Sequence, residues 1–131
     1  QNAGVKPIIG IEAYVAPGSR HERKRVKWAE GGEDDVSGGG AYTHMTILAE
    51  NNVGLHNLFR LSSLASLEGY YYKPRFDYEL FEKYGKGLIG TTGCPSGEVN
   101  RWLQAGDEKK AREVAASMQE VFGKEGAWRV H

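Results

Sequence analysis

The sequence has one cysteine, few prolines and no net charge, and each shortage excludes a class of protein. The single cysteine excludes an internal disulfide framework and a cysteine-rich zinc module. Four prolines and well-dispersed glycines exclude a collagen-like or low-complexity chain. Lys+Arg and Asp+Glu both number 17, so overall basicity does not drive nucleic-acid binding, although a local basic patch stays open. No apolar run approaches the roughly 18 residues of a membrane-spanning helix.

The residues that are present predict one folded α/β domain. Hydrophobic residues make up 40% of the 131 residues and aromatic residues 11%, which is enough for a core. Apolar runs predict strands at 7–15, 42–49, 87–92 and 127–130. Periodicity predicts helices at 54–66, at 96–105, from an Asp77 cap to about 84, and from an Asp107 cap to a stop at Gly123. Because strands alternate with helices, the pattern is typical of a parallel sheet.

Two segments could contact a nucleic acid or a partner protein. Residues 18–41 are predicted to be a charged loop insertion, with a basic run followed by an acidic one. This insertion is either solvated and mobile or a contact with a nucleic-acid backbone. The exposed-looking turn at 70–75 places aromatic residues beside cations, a combination that stacks bases and holds phosphates. The candidate contacts are Arg20, Arg23, Lys24, Arg25, Lys27, Tyr72, Lys73 and Arg75.

Three residues stand out as candidate metal ligands, since each lies in or just after a predicted strand: Glu12, His44 and Cys94. In a parallel barrel, the carboxyl ends of the strands converge on one mouth. A carboxylate, an imidazole and a thiolate that meet there suit a zinc-like divalent ion. One alternative is that each of the three residues has a structural role. Another is that Cys94 acts as a nucleophile at a helix N-terminus. The Gly93–Gly97 turn could also bind an anion through its backbone N–H groups.

Four blocks in order resemble one family of proteins. They are the strand around Gly10-Ile11-Glu12, the strand Thr43–Asn51 with Gly54–Leu58 after it, the turn Glu68–Arg75, and Gly87–Val99. These blocks are similar to the N-terminal PHP (polymerase and histidinol phosphatase) domain of the bacterial C-family replicative polymerases, the DNA polymerase III alpha subunits. The segment Asp34-Asp35-Val36-Ser37-Gly38 resembles actinobacterial versions.

The resemblance implies a distorted (β/α)7 barrel with a multi-ligand metal centre. Matched by motif, Glu12, His44 and Cys94 are three of its ligands. The family's first and last ligand motifs are missing from the sequence at both ends. The chain also starts at Gln1, with a strand almost at once. We therefore expect residues 1–131 to be an internal fragment of a PHP domain with an incomplete metal site.

The resemblance also implies the activity of the intact protein. That activity is DNA-directed DNA synthesis with Mg, together with a PHP 3′→5′ exonuclease that uses Zn or Mn. The implied partners are DNA, a sliding clamp, a clamp loader and a proofreading subunit, in the bacterial cytoplasm at the nucleoid, with no membrane. The isolated fragment is expected to be inactive. The alternative is a non-catalytic PHP module that docks partners.

Overall fold

The computed structural model describes residues 2–26 and 38–123 with their side chains, and the backbone of 128–129. The elements run in the order β1 (Gly10–Val15), β2 (Thr43–Ala49), α1 (Asn52–Glu68), β3 (Arg75–Phe76), α2 (Tyr78–Tyr84), β4 (Leu88–Thr91), α3 (Glu98–Gln104), α4 (Glu108–Gly123) and β5 (Trp128–Arg129). The α/β class is therefore confirmed. Within the described part of the chain, no helix is long and apolar enough to cross a membrane.

The strands form one mixed sheet in the order β3-β1-β2-β4-β5. Strand β2 is antiparallel to both β1 and β4, whereas β3 is parallel to β1 and β5 is parallel to β4. The expectation of a parallel sheet is therefore wrong for the central strands. A parallel pair needs a crossover connection, usually a helix, and the described residues between β1 and β2 contain none.

Alternation along β1 and β2 gives the sheet two different faces. Ala13, Val15, Met45 and Ile47 are buried on one face, against α1 and α2. This core continues through residues of the helices and β4, namely Leu58, Leu61, Ala65, Leu80, Phe81, Leu88, Met118 and Phe122. The opposite face carries Glu12 and Tyr14 of β1 and His44 and Thr46 of β2, so the alternation separates the core from a candidate site.

Side-chain caps set where the helices begin. Asn51 accepts a hydrogen bond from the Gly54 N–H, so α1 starts two residues before the predicted bound. The predicted caps at Asp77 and Asp107 are confirmed, since each carboxylate accepts from a backbone N–H three residues later at 3.0 Å. Helix α3 starts at Glu98 instead of 96, because the preceding residues form a turn closed by a Gly97 N–H to Cys94 O bond.

Candidate functional site

Glu12 and His44 meet on the exposed face of the sheet. In the antiparallel register Glu12 lies opposite Thr46 and His44 opposite Tyr14, so the two residues are diagonal neighbours on one face. Glu12 Oε1 lies 2.8 Å from His44 Nδ1. The carboxylate side chain is 58% exposed, whereas the histidine side chain is 13% exposed. The sheet register therefore brings together two of the three candidate ligands, from positions 32 residues apart in the sequence.

Two tyrosines hold the imidazole ring. The Tyr14 ring packs edge-on against His44, with ring centroids 5.1 Å apart. The Tyr42 ring lies 5.8 Å from the same imidazole and packs edge-on against Tyr14 at 4.9 Å. Because Tyr42 is buried, this aromatic wall has little freedom to move. His44 is thus a positioned group, while Glu12 can adjust its rotamer in solvent.

Cys94 lies in a turn that contacts the backbone of β2. The His44 N–H donates to the Ser96 carbonyl at 3.1 Å, which anchors the turn beside the histidine. The Asn100 side-chain amide donates to the Cys94 carbonyl at 2.8 Å and closes the turn from α3. The thiol is free and half-buried. Among residues 2–26 and 38–123, however, no group of three His, Cys, Asp or Glu side chains is close enough to hold a metal ion.

The spacing of the Glu12–His44 pair is close to the spacing that two metal ligands need. Two ligands at the usual 2.0–2.1 Å from a tetrahedral ion lie about 3.3 Å apart. The observed contact of 2.8 Å is shorter by about 0.5 Å, which a small rotamer change of the exposed glutamate would supply. A carboxylate oxygen and an imidazole nitrogen also suit zinc and manganese. The pair therefore fits as part of a divalent metal site.

Sequence reasoning missed a second acid near this turn, Glu98 at the start of α3. The Tyr78 hydroxyl donates to Glu98 Oε2 at 3.1 Å and so ties α3 to the start of α2. Burial raises the pKa of the Glu98 carboxyl, although hydrogen bonds from Tyr78 and Trp102 lower it in part. Burial also raises the pKa of the Tyr78 phenol, and the Glu98 charge adds to this effect. The sequence signal was weak, because Glu98 has the normal position of a first-turn helix acid.

Two predicted contact residues are structural. Arg20 is 6% exposed, and its guanidinium binds the Asp77 carboxylate at 3.1 Å and Glu68 at 2.7 Å. Arg75 is 1% exposed and donates to the backbone carbonyls of residues 20, 22, 41 and 69. Both guanidinium groups donate their hydrogen bonds to partners inside the protein. The burial and internal contacts of Arg20 and Arg75 therefore favour a structural role over the predicted contact with a nucleic acid or a partner.

The remaining predicted contacts that the structure describes lie at the surface. Arg23, Lys24, Arg25, Tyr72 and Lys73 are exposed. Lys24 pairs with Glu22 at 3.0 Å. Lys27, together with the acidic run at 30–35, lies outside the described residues.

The comparisons with known proteins agree with the resemblance in the sequence. A model of the PHP domain matches residues 1–128. The chain is 56% identical over 124 residues to a DNA polymerase III subunit alpha of Mycobacterium leprae, covering 92% of this chain and 10% of the relative. It is 53% identical over 134 aligned positions to that of Saccharopolyspora erythraea (95% and 11% covered). It is 46% identical over 121 residues to that of Aquifex aeolicus (92% and 10% covered).

These matches show the family of the chain and how much of its relatives it covers. It spans about a tenth of the length of the curated relatives it matches. The similarity to actinobacterial alpha subunits is confirmed by the Mycobacterium and Saccharopolyspora relatives. The described sheet and helices are part of the (β/α) barrel-type fold of the matched domain. The chain belongs to the PHP domain family.

Proposed function

We propose that the chain is a segment of the PHP domain of a replicative DNA polymerase III alpha subunit. We further propose that Glu12 and His44 contribute to a metal centre that hydrolyses the 3′ end of a DNA strand. The names of the relatives support the first part, because all those cited are DNA polymerase III alpha subunits. The second part rests on one observation, the 2.8 Å contact between a solvent-facing carboxylate and a positioned imidazole.

The donor set suggests which ions the site takes and what they contribute. Glu12 would supply an oxygen and His44 a nitrogen, a donor pair that suits Zn or Mn, whereas the Cys94 thiol forms no three-ligand group with them among the described residues. A divalent ion held there would supply an activated water and would polarise a phosphodiester. His44 holds its position through the aromatic wall, and the exposed Glu12 would turn its carboxylate toward the ion that both residues bind. The site would need further ligands from residues that the structure does not describe or from other parts of the intact protein. Among the described residues, no three His, Cys, Asp or Glu side chains lie close enough to hold one ion.

The rest of the proposal concerns the intact protein. It would extend DNA primers with Mg at a separate site and act with a sliding clamp, a clamp loader and a proofreading subunit. Its place would be the bacterial cytoplasm, at the nucleoid. Similarity to polymerase alpha subunits along 92% of this chain supports this assignment.

A non-catalytic docking module is the second candidate function. It is favoured by the lack of a three-ligand group among the described residues. In that case the Glu12–His44 contact would serve only to pair β1 with β2, and the exposed face of the sheet would bind another part of the replicase.

An exonuclease assay on the intact polypeptide that contains this chain separates the two functions. The variants are Glu12→Gln and His44→Asn, with Glu82→Gln and His56→Asn as matched controls on exposed helix positions. We expect the first two to lose about 100-fold or more in Mn- or Zn-dependent release of 3′ nucleotides. Primer extension should stay unchanged in all four. Full exonuclease activity in Glu12→Gln and His44→Asn would instead support the docking module.

A further inference from the structure

A tight turn between α1 and β3 exposes two tyrosine rings to solvent. Tyr70 is 61% exposed and Tyr72 is 55% exposed. An isolated bridge between Tyr71 and Lys73 closes the turn, with the Tyr71 N–H donating to the Lys73 carbonyl at 3.0 Å. Tyr72 at its tip has a φ of 63°, the left-handed region that bulky residues seldom adopt. Exposed aromatic rings on a strained turn point to a binding role, because folding alone does not favour either feature.

The base of the turn is rigid. The Arg75 guanidinium lies under the Tyr71 ring, 5.0 Å from its centroid, and Arg75 Nε donates to the Gly69 carbonyl at 3.0 Å. Since Arg75 is almost fully buried, it fixes the turn from below. Tyr71 is therefore the anchor, while Tyr70 and Tyr72 are presented outward. Presenting the rings in a fixed position lowers the entropy cost of binding a flat ligand.

Cations lie beside the Tyr72 ring and beside the neighbouring Tyr14 ring. The Arg25 guanidinium lies 4.8 Å from the Tyr72 ring centroid and donates to the hydroxyls of Tyr71 and Tyr72. On the other side of the turn, Lys73 Nζ lies 5.7 Å from the ring of Tyr14. Arg23 adds a further exposed charge, whereas Lys24 is neutralised by Glu22. The surface thus combines aromatic faces with a local excess of positive charge on a chain of zero net charge.

This surface is continuous with the candidate metal site. Lys73 contacts the Tyr14 ring, and the Tyr14 ring packs against His44. A strand that stacks on this turn and pairs a phosphate with Lys73 would therefore be directed toward His44. Aromatic faces accept any base without sequence preference, and arginine and lysine neutralise the phosphates between them.

We propose that Tyr70, Tyr72, Arg25 and Lys73 form a stacking platform for the unpaired bases of a single-stranded nucleic acid. The proposal rests on the proposed function only for the identity of that strand as DNA, and binding itself requires no metal. Arg20 and Arg75 are not part of the platform, since both are buried.

Photo-crosslinking of the intact polypeptide tests the platform directly. The probe is a short single-stranded oligodeoxynucleotide with 5-iodouracil near its 3′ end, irradiated in EDTA so that no metal-dependent hydrolysis occurs. Crosslinks are mapped by mass spectrometry. We expect them within residues 70–73. The Tyr72→Gly variant, in which glycine suits the positive φ, should reduce that crosslink about tenfold.

Two further variants show whether the ring itself is responsible. Tyr72→Phe keeps the ring and should retain the crosslink. Phe59→Ala removes an aromatic ring that is 59% exposed on α1 and should have no effect. Absence of crosslinks at 70–73, or an unchanged yield in Tyr72→Gly, would overturn the proposal. If Tyr72→Gly instead abolishes binding of a purified replicase subunit and no crosslink forms, the turn is a protein-binding surface and the proposal fails.

The readout also separates this proposal from the metal site. Loss of hydrolysis in Glu12→Gln with normal crosslinks supports both proposals. Hydrolysis that persists in Glu12→Gln, again with normal crosslinks, refutes only the metal site.

Discussion

Replacing Arg20 by methionine tests whether this arginine is structural, as its contacts indicate. The substitution keeps most of the aliphatic volume but removes the guanidinium that binds Asp77 at 3.1 Å. The Asp77 side chain is only 3% exposed, so its charge would be left buried without its partner. Breaking one half of a buried pair usually costs about 3–5 kcal/mol.

The contacts that remain after Arg20→Met indicate a loss of stability near the lower end of that range. Asp77 keeps two backbone donors, the N–H groups of residues 20 and 80, at 2.8 and 3.0 Å. Glu68 is more exposed, at 37% of its side chain, so water would solvate it after the loss of Arg20. We therefore expect Arg20→Met to destabilise the α2 region by about 3 kcal/mol. Asp77→Asn in the same background should cost less than it does alone, because the two groups are coupled.

Native-state hydrogen exchange of α2 amides in the intact polypeptide measures this opening free energy. The control is Lys83→Gln, which breaks the exposed pair of Lys83 with Glu79 and should leave the exchange of the α2 amides almost unchanged. The structural role would be refuted if Arg20→Met left α2 exchange unchanged while weakening DNA binding.

Two other substitutions probe the region around Cys94. In Gly97→Ala the added Cβ would lie 2.9 Å from the Cys94 carbonyl and 3.3 Å from that of His44. We expect Gly97→Ala to lower the opening free energy of residues 94–104, measured by hydrogen exchange, by about 1–3 kcal/mol. Gly18→Ala, where the added Cβ has room, should have almost no effect. An equal effect of the two substitutions would contradict the close approach at Gly97. Because the folded pKa of Glu98 is raised, its stabilising contribution is full below the usual glutamate pKa of about 4.3 and is lost as the pH rises through the folded value. Glu98→Gln should therefore stabilise α3 relative to the wild type at neutral pH but not in acid, and a difference that is the same at both pH values would refute the burial effect.

Local features of the fold could be predicted from the sequence. The alternation in β1 and β2 fixed which residues face the core, and Asp77 and Asp107 are caps because their side chains act within three residues. The strand directions could not be predicted, since the pairing of β1 with β2 depends on contacts across a long connection.

The roles of the arginines likewise could not be predicted from the sequence. Arg20 and Arg75 belong to the same basic segments as Arg25 and Lys73, and nothing local distinguishes them. Arg20 is buried by a carboxylate 57 residues away, and Arg75 by carbonyls up to 55 residues away. Only the tertiary fold separates these structural cations from the exposed ones. Conversely, Glu12 and His44 could be selected from their chemistry, but their contact required the register of the two strands.

Metal binding by the intact polypeptide tests whether Glu12 and His44 are metal ligands. Mn(II) affinity is measured by calorimetric titration of the metal-stripped protein, for Glu12→Gln and His44→Asn against the matched controls Glu82→Gln and His56→Asn. We expect each of the first two variants to lose about tenfold or more in affinity, while the controls bind as the wild type does. Wild-type affinity in both Glu12→Gln and His44→Asn would contradict a metal centre at this pair.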